Sequence, residues 1–139
     1  MGAEIHRLRE RISDSEKITI NLGYVDLGQI DLLVREGFYS NRTDMIRTAI
    51  RTQLRHHAED LKQTIVRETL EIGLRHYSRE DLEKVQADGE MLSIRVIGLA
   101  IIAEDVPAAL ACETIKSITV LGALQANKAV KAALADRLR

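Results

Sequence analysis

The chain has 139 residues, room for one medium domain or two small ones, and its 20 Lys/Arg against 21 Asp/Glu leave a net charge of −1. A near-neutral chain excludes a nonspecific nucleic-acid coat, which needs a large positive excess, so any contact with nucleic acid must rest on local placement of charge. A single cysteine excludes an intrachain disulfide, and no apolar run resembles a signal peptide or reaches the length of a bilayer span, so a cytoplasmic protein is expected.

Residues 1–15 mix His6, Arg7, Arg9 and Arg11 with Glu4, Glu10 and Asp14, and are read as a frayed or loosely helical N-terminal arm. Lys17-Ile18-Thr19-Ile20-Asn21-Leu22 then alternates with period two, which predicts a strand with Ile18, Ile20 and Leu22 on one face and Lys17, Thr19 and Asn21 on the other. The polar face offers a cation, a hydroxyl and an amide, donors and acceptors that suit base edges in a DNA groove. A lone strand leaves its main-chain groups unpaired, and a second copy of the chain is the simplest partner. Two such strands make an antiparallel ribbon thin enough for the major groove.

The first helix is expected to start at Asp26 as its cap, with Gln29 three positions on, and Leu27, Ile30, Leu33 and Val34 form its apolar stripe. Gly37 is the left-handed stop. Ser40 or Asn41 caps a second helix with Ile46, Ala49, Ile50, Gln53, Leu54 and His57 on one side and Arg42, Arg47, Arg51 and Arg55 outside. From Ser40 to His57 those four arginines face only Asp44, a net charge of +3. The N-terminus of this helix is a candidate phosphate site, where free N–H groups and the helix dipole point outward beside Ser40, Asn41, Arg42, Thr43 and Arg47.

Strand KITINL, stretch IDLLVREG and turn-plus-cap GFYSNRTDMIRTAIR together resemble the ribbon-helix-helix domain of CopG-like bacterial repressors, the superfamily that includes Arc and MetJ. The resemblance covers about 40 residues, here placed at 16–60, and its motifs are specific because strand, glycine turn, cap and arginine helix coincide. It implies an intertwined β-α-α homodimer that inserts paired strands into the major groove of double-stranded DNA. Lys17, Thr19 and Asn21 match the family's base-reading positions, and Asn41, Arg42 and Thr43 its phosphate clamp. The sequence departs from the pattern at Gly23-Tyr24-Val25-Asp26, where relatives often carry a proline, acidic residues and a leucine.

Residues 61–139 read as a repeat. Ser93–Gly98 aligns with Ser117–Gly122, and Val106–Leu110 with Val130–Leu134, each 24 residues on; a fainter copy matches Leu70 and Ile72 to Ile94 and Val96. Each unit reads as strand, turn and short helix, and strands linked through helices run parallel in a right-handed crossover. The spacing loosely resembles a leucine-rich or similar αβ solenoid without its asparagine position. The fold class is therefore α/β: a ribbon-helix-helix followed by a small βα-repeat domain, with a helical reading of Thr64–Tyr77 still open. A short stack leaves an edge strand and an apolar face uncovered, which predicts self-association beyond the dimer.

Catalytic and cofactor chemistry is not expected. Glu80-Asp81 and Glu104-Asp105 fit helix N-terminal turns. His56 and His57 point about 100° apart on a helix, and with His76 and Cys112 they lack the regular spacing of nickel-responsive repressors, so no metal site is expected. Cys112 reads as a small buried hydrophobe in a helix. The expected function is a DNA-binding transcriptional repressor, nucleoid-associated in a bacterial cytoplasm. The alternatives are an antitoxin whose second half neutralises a toxin, and a plasmid-partition, relaxosome or filament-forming DNA-organising protein.

Overall fold

Gly23, rather than Asp26, opens the first helix. In the computed structural model, which describes residues 15–139, α1 spans Tyr24–Arg35, and the Leu27 N–H already bonds the Gly23 carbonyl at 3.0 Å. Glycine is an acceptable cap, and Asp26 sits in the first turn, where its charge offsets the helix dipole. Gly37 ends the helix at φ +84°, with the Phe38 N–H bonded to Leu33 and the Gly37 N–H to Val34, as the left-handed stop requires. Helix α2 (Arg42–His56) begins at Asn41, whose Oδ1 accepts the Asp44 N–H at 2.8 Å. A break at His57 separates it from α3 (Ala58–Arg67). The arm assigned to residues 1–15 lies, but for Ser15, outside the described residues.

The chain divides into two compact units, Met1–Lys62 and Gln63–Arg139. In the first, Ile30 is the one residue of the described part that is buried. Residues 15–23 carry no regular secondary structure in the single chain, and Ile18, Ile20 and Leu22 stand exposed together with Val25, Leu32, Ile50 and Leu54.

The second unit resolves the ambiguous stretch at Thr64–Tyr77 into both elements. Helix α3 stops where Thr69 turns left-handed (φ +53°), its N–H on the Val66 carbonyl and the Leu70 N–H on Ile65. A β-branched residue is strained there, and the buried Leu70 side chain that follows helps to hold the turn. Strand β1 (Glu71–Tyr77) then leads through α4 (Arg79–Ala87) to β2 (Leu92–Ile102), α5 (Ala108–Thr114), β3 (Ile115–Gln125) and α6 (Lys128–Ala133). Ser78 and Asp81 close a reciprocal capping box on α4. Asn127 caps α6 and spends its amide on the Glu104 and Val106 carbonyls at 3.1 and 3.0 Å, tying the β2–α5 loop to the last helix. Glu104-Asp105 forms a turn and not a helical first turn, because β2 runs on to Ile102 and α5 waits for Pro107 as its cap.

The sheet is three-stranded and parallel, in the order β1-β2-β3. One set of alternate side chains on β2 (Ile94, Val96, Ala100, Ile102) joins Leu82, Leu110, Ala111, Val130 and Leu134 from the helices in a continuous buried cluster. The β2–β3 register sets Ser93 against Ser117 and Gly98 against Gly122. On the β1 side Ile72 opposes Ile97 and Gly73 opposes Gly98, so the upstream copy is offset by 25 residues and not 24. A slip of one residue exchanges the faces of a strand. Ile72 therefore lies on the face away from the helices, 72% exposed, instead of beside Val96 in the core.

Candidate nucleic-acid interface

In the first unit the strand expected at Lys17–Leu22 is not formed in the single chain, and its polar and apolar residues alike stand in solvent. Lys17, Thr19 and Asn21 are exposed, and so are the intervening Ile18 and Ile20, at 72% and 59%. Two isoleucines left in water forgo roughly 1.5–3 kcal/mol each of burial, which an apposed copy of the same segment would recover. Immediately after this segment, α1 presents Leu27, Ile30, Leu33 and Val34 inward or half-buried, the stripe expected from the spacing.

At the start of α2 the cap is doubly made. Asn41 takes the Asp44 N–H, and the Asp44 carboxylate takes the Ser40 N–H at 3.0 Å. The first helical bond runs from Met45 to the Asn41 carbonyl, which leaves the N–H groups of Arg42 and Thr43 directed out of the first turn. Two features modify the expected phosphate site. Asp44 puts a negative charge beside it. The Arg42 guanidinium is committed to Asp31 on α1, in a bidentate pair of 2.7 and 2.8 Å. Arg42 thus braces α2 to α1 in the single chain, while Thr43, Arg47 and Arg51 stay exposed. Spacing alone does not reveal this pair, because its members lie on different elements and meet only once the Gly37 turn has folded.

The hydrogen bond from Arg42 holds the Asp31 carboxyl below the usual carboxylate range, and the same bond raises Arg42. A lowered carboxyl stabilises the folded form above its unfolded value and loses that contribution as pH falls through the folded value. Asp31→Asn is therefore expected to lower the urea midpoint of the first unit at pH 7, with the gap from wild type closing below about pH 4. A gap that persists unchanged in acid would show that the charge is not what braces the helices.

A family model described as Ribbon-Helix-Helix transcriptional regulator family matches residues 13–131, which takes in the exposed segment Lys17–Leu22, the three helices after it and the whole of the parallel sheet. No curated protein and no solved structure gives a significant match.

Proposed function

The chain belongs to the ribbon-helix-helix transcriptional regulator family, and from that premise we propose that it is a sequence-specific repressor whose dimeric β-ribbon enters the major groove. The observation that carries this reading is the segment Lys17–Leu22, in which polar residues suited to base edges alternate with apolar ones that stand exposed in the single chain. Pairing two copies satisfies the strand main chain and buries the isoleucines in one step. Lys17, Thr19 and Asn21 then read bases. Ser40, Asn41, Thr43, the first-turn N–H groups of α2 and Arg47 hold phosphates. Arg42 sets the angle between the helices unless DNA draws it from Asp31. Repression follows by occlusion of a promoter.

Residues 63–139 supply self-association in this reading. They contain a buried core of their own in the single chain, which weighs against an antitoxin tail that orders only on its toxin. Footprinting on the DNA upstream of the gene tests the proposal. Lys17→Ala/Thr19→Ala/Asn21→Ala is expected to lose the specific footprint, at roughly 1–3 kcal/mol per reading contact, while salt-dependent nonspecific binding remains. Arg47→Ala is expected to weaken all sequences alike and to reduce the salt slope by about one. A triple variant that still protected the same operator would remove the ribbon from the reading role.

A further inference from the structure

The two edges of the parallel sheet are treated differently. Along β3 the C-terminal residues cover the edge at Ile118: Leu138 bridges to it, and the Arg139 N–H bonds its carbonyl at 2.8 Å. Arg137 secures that return by donating to the Ile115 carbonyl at 2.7 Å and to the Cys112 carbonyl. Among the described residues nothing pairs with the outer edge of β1. Open edges invite pairing, and proteins generally cover them.

Gly73, Gly98 and Gly122 stand in one row across the sheet, with φ of +128°, +134° and +122°. At Gly122 a Cβ would fall 2.1 Å from the Gly98 carbonyl oxygen, and at Gly98 it would fall 2.2 Å from that of Gly73. The neighbouring strand thus forbids a side chain at each. Gly73 has the same backbone conformation, yet a Cβ there would meet nothing within 4 Å. The row continues to the edge as if one more strand lay beyond it.

The residues around Gly73 say which strand. The order is Glu71-Ile72-Gly73-Leu74-Arg75. In an antiparallel pairing of this segment with itself about Gly73, Glu71 faces the other copy's Arg75 and Ile72 faces its Leu74, twice over by symmetry. Isologous contacts require this self-complementarity. In the single chain Arg75 instead reaches over the glycine to its own Glu71, and Ile72 and Leu74 are 72% and 52% exposed.

We propose that β1 pairs antiparallel with β1 of a second copy of this chain, about a two-fold axis at Gly73, joining the two parallel sheets into one. The pairing rests on the reading that residues 63–139 self-associate, and it names the surface. It exchanges the two internal Glu71–Arg75 pairs of the two chains for two pairs between chains and covers Ile72 and Leu74 with each other.

Site-directed disulfides in the full chain on a Cys112→Ser background test it. Directly opposed residues in antiparallel strands lie within disulfide reach, whereas diagonal ones are strained or out of range. Differently tagged Ile72→Cys and Leu74→Cys chains, co-expressed and oxidised, are expected to give the mixed cross-link about ten-fold over either self-cross-link. Glu71→Arg alone or Arg75→Glu alone, placed in both cysteine chains, is expected to suppress it. Glu71→Arg in one chain and Arg75→Glu in the other is expected to restore it, because one chain then carries only cations at the seam and the other only anions. Pairing within a chain does not produce that rescue. Equal cross-linking of all pairs, or yields indifferent to charge, overturns the β1 seam. Sedimentation of the full chain separates the two ideas. Mass above a dimer with no cross-link removes the seam and leaves self-association standing, whereas a dimer with no cross-link removes both.

Discussion

Gly98→Ala and Gly122→Ala are expected to be among the most damaging substitutions in residues 63–139, costing more than about 4 kcal/mol each. Two penalties add at these positions. The backbone is held at φ +134° and +122°, where an L side chain costs roughly 1–3 kcal/mol. The new methyl would also lie 2.2 or 2.1 Å from a carbonyl oxygen of the next strand, which cannot move without breaking the ladder. Gly73→Ala pays the first penalty and not the second, because its methyl meets open space in the single chain. The comparison is cleanest with Arg75→Glu in all chains, so that the outer edge of β1 stays unpaired. Thermal unfolding followed by circular dichroism then gives a large loss for Gly98→Ala and Gly122→Ala and a small one for Gly73→Ala. Equal losses at the three positions would mean that backbone conformation, and not the closeness of the strands, demands glycine.

The same row of glycines explains what was legible in the sequence and what was not. Gly98 and Gly122 aligned at once because apolar strand residues flank both and the register follows them. Gly73 escapes such an alignment, since Ile72 matches Val96 in hydrophobicity and draws it one residue out of step. Hydrophobic matching works where a strand is buried. It fails on an edge strand such as β1, where Ile72 and Leu74 are exposed and the main-chain fit of three glycines sets the register instead. Local signals fared well: the Asn41 cap and the Gly37 stop are each decided by a few adjacent residues. The start of α1 did not, because Gly23 caps without a side-chain bond and Asp26 has the chemistry of a cap while serving the first turn. The Asp31–Arg42 brace was beyond reach, since no periodicity connects residues on two helices. In the candidate interface, therefore, residue types and faces could be read from the chain, and the internal commitment of Arg42 could not.

On an Arg75→Glu background, which keeps β1 unpaired, Ile20→Asp is expected to abolish both the ribbon dimer and DNA binding while leaving the second unit folded. The described part of the first unit buries only Ile30, far short of the apolar burial that offsets the conformational entropy of its residues. In the proposed ribbon dimer its stability comes from association, and the exposed Ile18, Ile20 and Leu22 are the surface that association would cover. A carboxylate at position 20 would be buried without a partner, at a cost of several kcal/mol per chain and twice that per dimer. The consequence reaches past affinity. When folding and association are one equilibrium, the unfolding midpoint rises with protein concentration. Urea unfolding of the Arg75→Glu chain carrying Tyr77→Phe should accordingly show one transition that shifts with concentration, assigned to the first unit by fluorescence of Tyr24 and Tyr39. In Ile20→Asp that transition should be missing, while the sheet signal of residues 63–139 persists. A variant that kept a dimeric, concentration-dependent transition would show that the ribbon face is not the surface on which the first unit folds.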